Sequence, residues 1–262
     1  MIKVYKNGKS FIEENHTFLD LNKYASTFFY LDAKLLNEVS KTNYAIKVEK
    51  DKDTLLALKV EPYNLLLYGC RVCLKELLEY LSKEEYEVEG ILCEKSIGDE
   101  LITLTNDKYY LSMGMDFMEA RSFTLPSSKD VVVPTLEDVD EIYDSIACFI
   151  KDCGLTDPLP KKERVIKNLP NYRVIKIDGK IVSMASFSED TKDSYRITNV
   201  YTKPEYRGKS YAKKIVNNIK NEILDMGKLA TLNVDINNPI SYHIYESLGF
   251  KRIFTQGIYL RK

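Results

Sequence analysis

The chain has 262 residues, 44% of them apolar, enough to supply a core for one large domain or two ordinary ones. A net charge of −1 gives no general basic field, so no nucleic-acid partner is expected. No apolar run approaches a membrane span, and the opening residues MIKVYKNGKSF lack the apolar centre of a signal peptide; no membrane partner is expected, and the expected location is cytoplasmic.

The chain opens with a short strand-like segment. Phe18, Leu21, Tyr24, Phe28, Leu31, Leu35 and Val39 then recur at spacings of three and four, which predicts helix up to about residue 43. Tyr44 to Lys50 and Thr54 to Val60 alternate around Asp51-Lys52-Asp53 and read as a hairpin. A strand over Leu65 to Tyr68 ends at Gly69, residues 70 to 82 read as helix, and Val88 to Cys93 as strand. One or two further strands are expected over 109 to 123. Cys70 and Cys73 form a C-x-x-C, but there is no second such pair, and His16 and His243 are the only histidines. A zinc site wants four ligands, so the pair reads as ordinary thiols and no metal is expected.

Leu125-Pro126-Ser127-Ser128-Lys129-Asp130 is a shift in composition that suits a linker, and the domain boundary is expected there. Thr135 with Asp138 has the form of a capping box, and the helix behind it buries Val139, Ile142, Tyr143, Ile146, Phe149 and Ile150. A short helix is expected over Lys161 to Leu169. Tyr172 to Ile177 and Lys180 to Phe187 flank Asp178-Gly179, a strong hairpin signal. The next strand, Tyr195 to Thr202, leads after Pro204 into Arg207-Gly208-Lys209-Ser210-Tyr211-Ala212. A helix follows with Tyr211, Ile215, Ile219 and Ile223 as its inward stripe and Gly227 as its stop. Leu229 to Val234 is a strand; Asn238-Pro239 caps a helix that ends at Gly249; Phe250 to Phe254 and Ile258 to Leu260 close the sheet.

The junction at Arg207 to Ala212 carries the chemistry. A helix starting there leaves its first N–H groups unpaired and bears partial positive charge, while Gly208 admits a close ligand and Arg207 and Lys209 add charge. This is the pattern of a phosphate or pyrophosphate site. Gly208-Lys209-Ser210 matches the end of a nucleotide-binding G-x-x-x-x-G-K-[ST] loop, but Lys203 stands at the first glycine position. Pro204 and Glu205 fall where N–H groups should wrap the anion, which disfavours that reading.

The strand Val200-Tyr201-Thr202, the loop Arg207 to Ala212 and the block Asn238-Pro239-Ile240-Ser241-Tyr242-His243-Ile244-Tyr245-Glu246-Ser247-Leu248-Gly249-Phe250 resemble the GNAT superfamily of N-acetyltransferases, with its (Q/R)-x-x-G-x-(G/A) signature. The resemblance covers about 130 to 262. It implies an α/β fold, a mixed sheet flanked by helices, with a GNAT-like acyltransferase domain over 130–262 preceded by a second α/β domain over 1–125. It also implies transfer of an acetyl group from acetyl-CoA, as co-substrate, to a primary amine of a small molecule or peptide. Backbone groups of Val200, Tyr201 and Thr202 would meet the pantetheine arm and orient the thioester. Arg207, Gly208, Lys209, Ser210, Tyr211 and Ala212 would hold the pyrophosphate, Asn238 would contact the cofactor, and Tyr245 would protonate the thiolate. Taken alone, Asn238 is a helix cap and Tyr245, one of nineteen tyrosines, a core residue.

Two departures stand out. Ser210 replaces the usual glycine, and Asn233 occupies the strand position where some members carry a general-base Glu; an amide takes no proton from an ammonium, which leaves Glu189, a water chain or the first domain as alternatives. These departures motivate a second reading, a non-catalytic acyl-CoA sensor. Tyr44 to Val48 opens a hairpin much as Tyr172 to Ile177 does, and each hairpin precedes a strand, a helix and a strand, the order expected of two weak copies. In the first copy Gly69-Cys70-Arg71-Val72-Cys73 offers one glycine and one cation, so no cradle is expected there.

Overall fold

The structure, a computed structural model, describes residues 1–154 and 158–262. The chain divides into two compact units, one of Met1–Asp116 with Phe254–Lys262 and one of Phe117–Ile253. The division thus lies at 116/117, before the Pro-Ser stretch at 125–130, and residues 254–262 count with the first unit.

In the first unit, strand β1 (Ile2–Tyr5) is followed by helices α1 (Gly8–Leu19) and α2 (Lys23–Asp32), then by β2 (Tyr44–Lys50), β3 (Asp53–Lys59) and β4 (Leu65–Gly69). Helix α3 (Leu74–Lys83) carries the chain to β5 (Gly90–Glu94), and α4 (Lys95–Leu104) to β6 (Tyr109–Ala120). The hairpin around Asp51 is in register as expected, with Lys50 opposite Asp53. Strand β4 runs antiparallel to β3 and parallel to β5. Two apolar layers form, one around Tyr44, Leu55, Leu74, Leu77 and Ile91, the other around Phe11, Phe29, Leu56 and Leu58. Leu56 and Leu58 alternate with Leu55 and Ala57 between these layers, as the two-residue period of a strand requires.

Helix α4 is an element the sequence reading passed over. Gly98 sits at its centre, and a Cβ there would come within 1.9 Å of the Tyr259 ring. The missing side chain, which weakens the helical signal, is what admits the fully buried ring of Tyr259.

In the second unit, α5 (Val139–Asp152) and α6 (Lys162–Lys167) precede β7 (Tyr172–Ile177), β8 (Lys180–Thr191) and β9 (Ser194–Thr202). Helix α7 (Tyr211–Asp225) leads to β10 (Leu229–Asp235), and α8 (Pro239–Ser247) to β11 (Lys251–Arg261). The capping box is formed, with the Thr135 N–H donating to Asp138 Oδ2 at 2.7 Å. Strands β7, β8 and β9 are antiparallel neighbours, whereas β10 runs parallel to β9. One apolar layer contains Ile215, Val216, Ile219 and Ile223 of α7 against Ile197, Ala230, Leu232 and Val234. Burying each such side chain contributes about 1.5–3 kcal/mol, which fixes α7 on the sheet and with it the loop that opens the helix.

The expected α/β class, mixed sheets flanked by helices, is the one observed. Strands β2, β3, β4, helix α3 and β5 also share order and direction with β7, β8, β9, α7 and β10. The strand after each set then changes unit. Strand β11 pairs antiparallel with β5, Ile258 opposite Leu92, while the last residues of β6 lie beside β10.

The Pro-Ser stretch is a fixed strap. Asn217 Nδ2 donates to the Pro126 carbonyl at 3.0 Å, Asn221 Nδ2 to the Leu125 carbonyl at 2.9 Å, and Asn218 bonds both backbone groups of Ser128. Nearby, Lys220 is fully buried and donates to Thr124 Oγ1 at 2.6 Å and to the Leu248 carbonyl at 3.0 Å. No described helix is long and apolar enough to cross a membrane.

Candidate active site

The frame of the site is the pair β9 and β10. Their parallel register runs from Ser194 opposite Leu229 to Ile197 opposite Leu232 and ends there. The cause lies one residue pair further on. Thr198 faces Ser186 and Tyr201 faces Met184, so β9 spends one extra residue against β8. That bulge contains Asn199 at φ 52°, a left-handed conformation that asparagine tolerates better than most residues. Asn199 Nδ2 donates to Ser186 Oγ at 2.9 Å and locks the bulge in place. A bulge bends its strand, and here the bend coincides with the point where β9 and β10 part.

Beyond the bulge the chain makes one turn at Pro204–Tyr206, where the Arg207 N–H donates to the Pro204 carbonyl at 3.2 Å. Gly208 then takes φ 79° and Ser210 φ 62°. The first bond of α7 is Lys214 N–H to the Ser210 carbonyl at 3.0 Å. The N–H groups from Gly208 to Lys213 consequently have no acceptor among the described residues. A run of unclaimed N–H groups, two of them on left-handed residues, at the positive end of a 15-residue helix is a concave anion site. A Cβ on Gly208 would meet nothing within 4 Å, so the space before the loop is open.

The cations of the loop have separate tasks. Arg207 reaches back, with Nη2 2.6 Å from Asp152 Oδ2 and Nε donating to the Thr202 carbonyl at 3.0 Å. It ties the loop to the end of α5 and to β9. Lys209 Nζ lies 5.2 Å from the centroid of the Tyr206 ring, in cation–π range at the surface.

Of the strand residues, Val200 packs toward α7, and Tyr201 is buried toward α5. Burial, with a hydrogen bond that the phenol O–H donates to Cys148, pushes the Tyr201 phenol up to about 12. Thr202 Oγ1 is 2.8 Å from Ser183 Oγ. These side chains are therefore engaged in packing and pairing, so that any ligand role falls to their backbone groups. Tyr211 packs at the edge of the α7 layer, and Ala212 lies in the first turn of the helix.

Asn238 caps α8 by accepting the Ser241 N–H at 3.0 Å. One turn later Tyr245 is 7% exposed, edge-on to Phe250 with ring centroids 6.1 Å apart. Burial, with the charge of nearby Cys153, raises its phenol to about 12, against a hydrogen bond with Ser241 that lowers it. Burial and the carboxylates of Asp152 and Asp235 also raise the Cys153 thiol. Tyr245 and Asp235, the last residue of β10, are thus each near Cys153. Tyr245 stays protonated through the neutral range and is able to donate.

Glu189 is not part of this group. It is exposed and opposite Tyr195, four residues before Asn199, or about 13 Å along β9. Asn233 lies on β10 just past the last paired residue, with its buried Oδ1 unpartnered among the described residues. Asn199, Asp152 and Cys153 are site residues the sequence reading missed. Only Asn199 left a signal, a strand-averse residue inside an otherwise apolar and β-branched run.

Residues 139–250 match the family model of the GNAT acetyltransferases. This segment is a GNAT acetyltransferase domain. The L-amino acid N-acyltransferase MnaT of Escherichia coli (strain K12) is 30% identical to the chain over 91 residues, which make up 32% of the chain and 53% of that protein. The match thus spans about half the length of this relative. An acetyltransferase of the GNAT family from Colwellia psychrerythraea has a similar fold over 100% of the chain and 99% of its own, with TM-score 0.64 and 12% identity. A tandem GNAT protein from the clavulanic acid biosynthesis pathway covers 99% of the chain and 97% of its own, with TM-score 0.53 and 9% identity. The GNAT-type fold therefore extends to the first unit, beyond the segment the family model matches.

The loop after β4 differs from the one after β9 in the GNAT domain. Its Cys70 N–H is taken by the Thr54 carbonyl at 2.7 Å and its Cys73 N–H by the Cys70 carbonyl. Gly69 is its only left-handed residue, and a Cβ there would strike the Thr54 carbonyl at 2.2 Å. The glycine serves the close approach of two strands, with no open cradle beside it.

Proposed function

We propose that the GNAT domain transfers an acetyl group from acetyl-CoA to a primary amine within one ternary complex. The observation that carries this reading is the run of unclaimed N–H groups from Gly208 to Lys213 directly after the bulge that parts β9 from β10. The residues fit a pyrophosphate at the loop and an extended pantetheine arm along the unpaired edge of Val200 to Thr202. Acetyl-CoA supplies the activated thioester. The neutral amine attacks its carbonyl carbon directly, backbone N–H groups at the bulge stabilise the oxyanion, and Tyr245 gives its proton to the thiolate as the C–S bond breaks; the proton shed by the acylated nitrogen passes to water, from which the phenol is restored.

The test is thiol release from acetyl-CoA with a panel of amines, using wild type and Tyr245→Phe. The substitution removes one hydroxyl and keeps the ring against Phe250. Turnover is expected to fall at least about tenfold, within the range for a positioned acid, with little change in coenzyme A affinity. Unchanged turnover would make Tyr245 a core residue only. The sensor reading draws on Asn233, which supplies no base, and on Ser210. It would be preferred if coenzyme A binds tightly while no amine supports turnover.

A further inference from the structure

The end of α5 touches the candidate site at three points. Cys148 accepts the phenol O–H of Tyr201, Asp152 Oδ2 lies 2.6 Å from Arg207 Nη2, and Cys153 is near Tyr245. Cys148 and Asp152 are four residues apart and so share one face of the helix. Arg207 in turn lays its guanidinium carbon 5.9 Å from the centroid of the Tyr201 ring and donates from Nε to the Thr202 carbonyl at 3.0 Å.

Asp152 stands where two local effects disfavour it. It is the last residue of α5, at the negative end of that helix, where a carboxylate is repelled. Its charge also opposes an anion at the loop that opens α7. A residue that local electrostatics disfavours twice is explained by a contact made elsewhere in the fold, and the contact here is the guanidinium of Arg207. The loop has little else to hold it. Gly208 and Ser210 are left-handed, and the N–H groups from Gly208 to Lys213 have no acceptor among the described residues. A loop free to move would have to be ordered by its ligand, with a loss of affinity. Nor is the Arg207 side chain placed to grip the anion itself, since two of its nitrogens are engaged and a carboxylate meets its charge.

Resting on the coenzyme A reading above, we infer that Asp152 is a positioning residue for the pyrophosphate loop. It holds Arg207 back against Tyr201 and Thr202, and the tethered loop presents its backbone N–H groups to the ligand.

Calorimetric titration of coenzyme A into the full-length protein, paired with thermal unfolding without ligand, separates this role from two others. By Coulomb's law alone, removing the carboxylate tightens an anion site, and an Arg207 released to grip a phosphate directly would do the same. Tethering gives the opposite sign. Asp152→Ala should raise Kd at least about threefold while the ligand-free midpoint stays within about 2 °C of wild type, because the helix end gains about what the surface ion pair loses. Arg207→Gln should raise Kd by a similar factor, and the double variant Asp152→Ala/Arg207→Gln should lie within about twofold of either single variant. Asp152→Glu, which keeps the carboxylate, should remain within about twofold of wild type. Unchanged or tighter binding by Asp152→Ala would overturn the inference and leave the coenzyme A reading standing. So would effects that multiply in the double variant, or a ligand-free midpoint that falls together with the affinity. Absence of coenzyme A binding by the wild type would overturn both.

Discussion

Ser210 holds a left-handed backbone at the opening of α7, where the signature that the loop resembles has glycine, and its hydroxyl makes no capping bond to the helix. A residue with a Cβ incurs roughly 1–2 kcal/mol in that conformation. Glycine removes the strain but loses more entropy on folding, roughly 0.5–1 kcal/mol. Ser210→Gly should therefore raise stability by about 0.5–1 kcal/mol, or about 1–4 °C in melting temperature for a chain of this size. Coenzyme A affinity should hold or rise, because the change also clears a Cβ from the rim of the anion site. Ser210→Ala is the control: it keeps the strain and removes a hydroxyl that caps nothing, so it should stay within about 0.5 kcal/mol of wild type. Thermal and urea unfolding, with and without coenzyme A, read both quantities. A destabilised Ser210→Gly, or Ser210→Ala matching it in stability gain, would refute the argument that the backbone angle sets the strain at this position.

Three further predictions follow from buried groups. With the Tyr245 phenol at about 12, turnover should not decline from loss of its proton between pH 7 and 10; a falling limb in wild type that vanishes in Tyr245→Phe would contradict the assignment. Burial lowers the ammonium pKa of Lys220, so the folded state gives up that proton before the unfolded state does, and its contribution to stability rises with pH as the solution approaches its ordinary value of 10.5. Lys220→Met should remove that alkaline gain, measured as the difference in unfolding free energy between pH 8 and 10; an unchanged slope would show that Lys220 is not its source. Gly98→Ala forces a Cβ against the Tyr259 ring and should destabilise the first unit by about 1–3 kcal/mol, while coenzyme A binding persists; a neutral effect in unfolding would mean that the ring moves aside freely.

The parts of the fold that were legible in sequence are those where local pattern and tertiary role agree. Ile215, Ile219 and Ile223 recur on one face because that face lies on the sheet, and Asp178-Gly179 turns a hairpin because both residues accept positive φ. The loop at Gly208 was legible for the same reason: its glycine, its cations and the helix behind it describe one electrostatic feature. Helix α4 was obscured by Gly98, whose reason is a ring more than 150 positions away in the chain. The Pro-Ser stretch has the composition of a linker, yet the side-chain amides of Asn217, Asn218 and Asn221 hold it, and nothing local to the stretch records them. The crossing of β6 and β11 between units is equally silent, since a strand carries no mark of the partner it will choose. In the site, the bulge at Asn199 and the reach of Arg207 to Asp152 depend on neighbouring strands and helices. Glu189, an alternative base from the sequence, is carried to the far end of the strand pair by the antiparallel register of β8 and β9.

We propose the loop from Arg207 to Ala212 as the coenzyme A site, the only such cradle among the described residues. Calorimetric titration of coenzyme A into wild type and Gly208→Asp tests it most directly. A Cβ at Gly208 meets no protein atom within 4 Å, but its φ of 79° makes a side chain costly there, so Gly208→Ala serves as the control for strain. One site per chain is expected in wild type, with protection against unfolding of about 2.7 kcal/mol at a hundredfold excess over the dissociation constant and much less from magnesium ATP. Binding should be retained in large part by Gly208→Ala and lost in Gly208→Asp, where a carboxylate faces the pyrophosphate. Undiminished binding by Gly208→Asp, a second equivalent site, or equal protection by magnesium ATP would contradict it.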